Sequence, residues 1–174
     1  MRKIYIISGP CGCGKSTLAK ELVNTLPNSV LIEGDNLHNI FNEKDEVAWL
    51  KRLSITWENI ISVTRNCLKH NLDIVIDYVV EDELPLFISN LEDFEYELYY
   101  MVLTADEETI RNRITKRGDT YLIERSLFLR NKLMNDKMNQ FHLYDNSNRT
   151  LDDEITAILY DKRFLIEQHS VSRC

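Results

Sequence analysis

The sequence predicts an α/β fold: one five-stranded parallel sheet with helices on both faces. Three observations lead there. Strand-like and helix-like segments alternate in the order β-α-β-α-β-α-β-α-α-β-α, and such units lay their strands parallel through right-handed crossovers. The first strand-like segment, Lys3–Ser8 (KIYIIS), is a continuous run of β-branched and aromatic residues, the pattern of a strand buried on both faces. Between it and the first helical segment lies a glycine-rich loop, GPCGCGKST, at residues 9–17. With 174 residues, 44% of them hydrophobic, the chain suits one domain, residues 1–174, with a sizeable core.

The remaining elements follow in order. Residues 15–26 place Leu18, Leu22, Val23 and Leu26 on one helical face, and Pro27-Asn28 stop that helix. Ser29–Glu33 (SVLIE) is a second short strand, ending in Gly34-Asp35. Residues 47–70 form the longest helical stretch. Its apolar stripe of Leu50, Leu53, Trp57, Ile60, Ile61, Cys67 and Leu68 reads as core, and Asn71 ends it. Leu72–Val80 is the third strand, residues 81–91 a helix with Pro85 in its first turns, and Tyr96–Leu103 the fourth strand. Asp106–Lys116 is a helix with acids in its first turn, broken by Gly118. A further helix runs from Tyr121 to Met138, and Gln140–Tyr144 is the fifth strand. Thr150 opens the last helix, with Asp153 as its capping-box partner.

Composition narrows the function. The net charge is −7, which argues against broad nucleic-acid or membrane binding. The charge is uneven, however. Residues 111–132 carry Arg111, Arg113, Lys116, Arg117, Arg125, Arg130 and Lys132 against only Asp119 and Glu124, a local patch that suggests a specific anion. No run approaches the roughly 18 apolar residues of a membrane span. The apolar N-terminal run stops at Ile7 and enters the glycine loop, so it reads as the first core strand of a cytoplasmic protein. Of the four cysteines, Cys11, Cys13, Cys67 and Cys174, none forms a CxxC pair, and a lone CxC lacks two of the ligands of a zinc site. Cys11 and Cys13 read as small residues that fit a tight loop. Cys13 beside Gly14 is also a candidate oxidisable thiol, because backbone N–H groups lower a thiol pKa.

The loop carries the chemistry. Gly9, Gly14, Lys15 and Ser16 meet the pattern GxxxxGK[ST], with a strand before and a helix after, the context of a phosphate-binding loop. Glycines let the backbone fold around phosphates with its N–H groups inward, and Cys11, Gly12 and Cys13 fill the turn between them. The helix beginning at Lys15 aims its positive dipole end at the same anion. Lys15 reaches the β and γ phosphates of ATP, the Ser16 hydroxyl ligates Mg²⁺, and Thr17 touches the α-phosphate. These features specify the P-loop NTPase three-layer sandwich. The guanine-reading NKxD element of GTPases is missing: residues 42–45 read Asn-Glu-Lys-Asp, in the wrong order.

GPCGCGKST, the IEGDNLH stretch from Ile32 to His38, the Asp-ending third strand and the arginine-rich segment from Arg111 to Arg125 together resemble the small P-loop kinases around gluconate kinase, shikimate kinase and chloramphenicol phosphotransferase, built on the nucleoside-monophosphate-kinase fold. The resemblance covers nearly the whole chain. Gly34, Asp35, Leu37 and His38 match the Gly-Asp-x-Leu-His of gluconate kinases, while Asn39 stands where their proline follows and Asp77-Tyr78-Val79-Val80 lacks their sugar-acid segment.

The resemblance implies ATP, Mg²⁺ and a small hydroxyl-bearing substrate as ligands, a monomer or homodimer, a lid at about 111–125 and an acceptor-binding helical region at about 36–70. Asp35, just past the carboxyl end of the second strand, would orient the acceptor hydroxyl and take its proton, or else cap the next helix. His38 would contact the acceptor or lie at the surface, and Asp77 resembles the Asp that holds Mg²⁺ through water. Arg113 and Arg117, four apart on one helix face, suit adenine stacking and phosphate gripping, and Arg125 is placed to reach the γ-phosphate. Residues 146–150 would edge the adenine, with Thr150 as cap or contact. The alternatives are a nucleotide, nucleoside or 5′-hydroxyl polynucleotide kinase, and a nucleotide-binding sensor without an acceptor.

Overall fold

The computed structural model describes residues 1–42 and 47–166. Cys174 and positions 43–46 of the expected acceptor region lie outside the described residues. The elements are β1 (Arg2–Ser8), α1 (Lys15–Thr25), β2 (Ser29–Glu33), α2 (Gly34–His38), α3 (Trp49–Lys69), β3 (Asp73–Asp77), α4 (Leu84–Ser89), β4 (Tyr96–Thr104), α5 (Glu107–Arg117), α6 (Ile123–Asn135), β5 (Leu143–Asp145), α7 (Leu151–Tyr160) and β6 (Leu165–Ile166). Five strands run parallel in the order β2-β3-β1-β4-β5, and the two-residue β6 adds antiparallel to β4.

The pleat of β1 divides the core into two layers. Ile4 and Ile6 face one side, where they are buried with Trp57 and Ile60 of α3, Phe87 of α4 and Leu129 and Leu133 of α6. Tyr5 and Ile7 face the other, with Leu18 and Leu22 of α1 and Ile158 of α7. Alternate residues of a strand point to opposite faces, so an uninterrupted apolar run is what a doubly covered strand requires. A smaller cluster of Ile110, Ile114 and Leu127 holds α5 against α6.

The predicted order of strands and long helices is observed, with physical reasons for the differences. The third strand is cut at Asp77, and Tyr78 turns to pack beneath α2. Leu50 is exposed rather than core. The first turn of α3 faces a cavity lined by Trp49 and Leu53, and the buried stripe starts with Thr56 and Trp57. The helix after Tyr121 begins at Ile123 and ends at Asn135, because Asp136 leaves the helical region and its side chain accepts from the Met138 N–H in a short 3₁₀ turn. The fifth strand shifts to Leu143–Asp145. The five-residue α2 and β6 had no periodic signal, being too short to show one.

The carboxyl ends of β1, β3 and β4 place three features side by side. Ile7, the last residue but one of β1, pairs with Asp77 on β3 and with Met101 on β4, so the loop from Gly9 onward rises between those strand ends. Sites in open parallel sheets gather at this edge.

Candidate active site

The loop at residues 9–17 is braced from outside. Gly9 has φ +137°, and a Cβ there would sit 2.3 Å from the Leu103 carbonyl oxygen of β4, so no side chain fits. The Cys13 carbonyl accepts from Asn146 Nδ2 at 2.7 Å and from Arg113 Nη1 at 3.3 Å. The Cys11 carbonyl accepts from the Ser126 hydroxyl at 2.6 Å. In a trans peptide the carbonyl and the next N–H point in opposite directions. Pulling those carbonyls toward α5, α6 and the β5 end therefore turns the Gly12 and Gly14 N–H groups the other way, and both glycines line the cavities.

Lys15 at the start of α1 donates Nζ to the Pro10 carbonyl at 3.1 Å. The Asp77 carboxylate, only 8% exposed, lies beside the Ser16 hydroxyl and the Lys15 ammonium. Burial pushes the Asp77 carboxyl above the usual range, the Lys15 charge and the Ser16 hydroxyl oppose that, and Asp35 and Glu33 add to it. A hydroxyl and one carboxylate at the mouth of a phosphate loop are the sparse oxygen set that suits Mg²⁺, which keeps waters and phosphate oxygens as its other ligands. Among the described residues no cluster of three or more His, Cys, Asp or Glu forms a protein cage for a metal.

Cys13 is fully buried in the α1-side core, and burial raises its thiol pKa despite Lys15 and the Lys15 backbone N–H. The expectation of an acidified, oxidisable Cys13 is therefore corrected: loss of hydration outweighs the loop dipoles. Gly9 and Cys13 stand behind the loop, whereas Cys11, Gly12, Gly14, Lys15, Ser16 and Thr17 line its cavity.

Three cavities lie in a row. The central one, 460 Å³, holds those loop residues together with Asp35, Arg117 and Arg125. It shares Gly12, Gly14, Thr17 and Arg117 with a 430 Å³ cavity between α5 and α7 that adds Arg113, Arg149 and Glu154. On its other side it shares Asp35, Val79, Arg125 and Leu129 with a 150 Å³ cavity reaching His38, Trp49, Tyr78, Glu81 and Glu83.

The expected lid residues divide among these cavities. Arg113 is half-buried and bonded to Asn146 Oδ1 at 3.1 Å as well as to Cys13. Arg117 is exposed and donates to Cys11 Sγ at 3.0 Å. Arg125, on α6, pairs with Glu81 at 3.1 Å between the central and the small cavity. Asp35 lies in the first turn of α2 and makes no side-chain cap, which leaves its carboxylate to the cavities. His38 is buried rather than at the surface: Nδ1 lies 3.1 Å from Thr56 Oγ1 and 3.2 Å from the Tyr78 hydroxyl. Gly34 makes that packing possible, since a Cβ there would come within 2.3 Å of the Tyr78 ring. Thr150 is a cap, in a complete capping box with Asp153. Asn146 is 1% exposed and bonds Glu154 at 2.8 Å besides Cys13.

Sequence reasoning missed Glu154, Trp49, Glu81 and Glu83. The acidic run Glu81-Asp82-Glu83, directly after a parallel strand, was the available signal.

A family model described as an AAA domain, AAA_18, matches residues 6–131, well over half of the chain. The chain belongs to this family. It is a P-loop kinase domain, and it is similar to proteins named as probable gluconokinases. A relative from Saccharomyces cerevisiae (strain ATCC 204508 / S288c), named "Probable gluconokinase", is 25% identical over 182 residues that cover 95% of this chain and 87% of the relative. Two solved structures share the fold. The APS kinase CysC of Mycobacterium tuberculosis, in complex with AMPPNP and APS, aligns with TM-score 0.69 at 14% identity over 91% of this chain and 95% of that one. The Pnkp1/Rnl/Hen1 RNA repair complex contains a chain that aligns with TM-score 0.60 at 19% identity; 75% of this chain is covered but only 44% of that longer chain. Among the described residues no helix is long and apolar enough to cross a membrane.

Proposed function

We propose that this kinase transfers the γ-phosphoryl group of ATP to a hydroxyl of a small molecule held beside Asp35. The observation that carries the reading is the row of cavities: the phosphate loop and the small cavity meet at Asp35 and Arg125. A donor on one side and an acceptor on the other would face each other there, which supplies the proximity that phosphoryl transfer needs.

The roles follow from position. The Gly12 and Gly14 N–H groups and the α1 dipole hold the phosphates, and Thr17 sits where both nucleotide-side cavities meet. Lys15 leaves the Pro10 carbonyl for the β and γ phosphates. Ser16 and Asp77 would hold Mg²⁺, which would neutralise phosphate charge when bound. Arg113 fixes the loop to the β5 end and, with Arg117, borders the nucleoside cavity. Asp35 accepts a hydrogen bond from the acceptor hydroxyl and takes its proton as the new O–P bond forms. The bond from the γ-phosphorus to the β–γ bridging oxygen breaks, and ADP departs. The transition state is loose, so orientation by Asp35 matters more than its basicity. Arg117 and Arg125 offset charge on the transferred group as the α5–α6 lid excludes water.

The test is a metabolite screen for ADP release, with product confirmed by a mass gain of one phosphoryl group. Product formation that disappears in Lys15→Ala, with the fold intact, is the expected result. ATP hydrolysis with no phosphorylated product from any pool would replace the reading with that of a nucleotide sensor.

A further inference from the structure

We infer that the acceptor is a small hydroxyl compound that also carries a protonated amine, an amino alcohol or amino sugar in class, rather than a sugar acid. This inference rests on the proposed transfer at Asp35 and names what the small cavity selects.

Its size comes first. At 150 Å³ the cavity is far below the roughly 300–1,000 Å³ of sites for drug-sized ligands. Its charge is opposite to that of the nucleotide side. Among the described residues, Asp35, Glu81 and Glu83 line it against a single cation, Arg125. That cation is already engaged, since Arg125 Nη2 sits 3.1 Å from Glu81 Oε1, and Lys132 takes Glu81 Oε2 at 2.8 Å from behind. Glu83 gives one oxygen, Oε2, to the backbone N–H groups of Glu81 and Asp82 at 2.8 and 3.0 Å, which leaves Oε1.

The hydrogen-bonding polarity of the wall agrees. The Thr56 hydroxyl donates to the Arg52 carbonyl at 2.8 Å, so its contact with His38 is a hydrogen bond only with the His38 proton on Nδ1; we assign that tautomer, in which the Tyr78 hydroxyl oxygen at 3.2 Å accepts as well. Burial lowers the His38 pKa, with Asp35 pulling the other way and Arg52 adding to the lowering, so the ring is neutral at pH 7. Nε2 then carries a lone pair and makes no hydrogen bond among the described residues. His38, nine-tenths buried and lining the cavity, therefore offers an acceptor and no donor there. A ligand rich in donors matches this wall. A carboxylate would meet like charge and acceptor atoms, a mismatch that costs affinity.

The rim supplies the last element. Trp49 is 57% exposed, lines the cavity and lies 4.8 Å from the His38 ring, a tilted pair that holds its indole at the entrance. An exposed indole beside carboxylates is the combination that receives an ammonium group by cation–π attraction.

The experiment presents the full-length protein and Mg²⁺-ATP with matched sets: amino alcohols and amino sugars, their deaminated polyols, and the corresponding sugar acids. Phosphorylated product is read by mass spectrometry and kcat/KM is measured for every compound that turns over. The expected result is a preference of about tenfold or more for an amine-bearing compound over its matched polyol. Glu83→Gln, which keeps an oxygen for the backbone, should lower that preference several-fold by raising the KM for the amine, with the KM for ATP unchanged. Preference for a sugar acid or a polyol, or an amine preference that Glu83→Gln leaves intact, overturns the inference while transfer at Asp35 stands. No transfer to any member of the three sets removes both.

Discussion

The nucleotide cavity and the acceptor cavity flank one phosphate loop and have opposite characters. Arg113, Lys116, Arg117 and Arg149 face one carboxylate, Glu154, on the nucleotide side. On the acceptor side three carboxylates line the cavity, and of these Glu81 is paired with Arg125 and Lys132 while Asp35 and Glu83 are not paired with either. An excess of cations suits a polyphosphate whatever the rest of the molecule is, and it is built around consecutive residues of a single loop. The acceptor wall draws on α2, α3, the segment after β3 and α6, so its chemistry belongs to the fold and to no one segment. The two halves should accordingly respond differently to mutation.

The largest effect is expected at the shared centre. Lys15→Ala should lower kcat/KM for transfer by about 10³-fold, the upper end for removing one electrostatic stabiliser, with unchanged far-UV circular dichroism. A rate within a factor of ten of wild type would break the assignment of Lys15 to the phosphates.

Asp77→Asn separates function from stability. A carboxyl whose folded pKa lies above its unfolded value binds its proton more tightly when folded, so stability falls as pH rises through that interval and stays lower at neutral pH. The variant should lose about 10²-fold in Mg²⁺-dependent turnover and yet melt higher, by roughly 2–4 °C for each kcal/mol regained. In the metal-free wild type the same raised pKa predicts that the Asp77 contribution to the melting temperature is lost as pH rises above the ordinary carboxylate value of about 3.9. A lower melting temperature in Asp77→Asn would show that the Ser16 and Lys15 contacts outweigh burial.

On the acceptor side, Gly34→Ala must displace the Tyr78 ring and with it the contact to His38. A loss of about 1–3 kcal/mol of stability in denaturant unfolding is expected, together with a higher KM for the acceptor and an unchanged KM for ATP. Arg113→Ala should do the reverse on the nucleotide side. Cutting its bonds to Cys13 and Asn146 loosens the loop and should raise the KM for ATP about tenfold, with a smaller change for the acceptor. The smallest effect is expected at Leu50, which is 77% exposed; Leu50→Gln should stay within about 0.5 kcal/mol of wild type.

The same contrast explains what was legible in the sequence. The parallel sheet could be read because buried parallel strands are uninterrupted apolar runs, and the loop because its residues are contiguous. Lys15, Ser16 and Asp77 come together where their local context placed them. Asp35 and His38 were found through a short motif, but the burial of His38 depends on Thr56 and Tyr78, eighteen and forty residues away. Leu50 opens an apolar stripe that periodicity assigns to the core, whereas the first turn of α3, which also carries Trp49, in fact faces a cavity. Glu81 and Asp82 are neighbours in sequence, but the cations that hold them, Arg125 and Lys132, come from α6, 44 to 51 residues away.

The central claim is that the two cavities meet at a carboxylate which acts on the acceptor and not on ATP. Asp35→Asn tests it most directly, with kcat for transfer and the Kd for ATP measured on the same preparation. A fall in kcat of about 10²-fold or more is expected, with the ATP Kd within about twofold of wild type. An unchanged kcat, or a loss of ATP binding that matches the loss of rate, would contradict it.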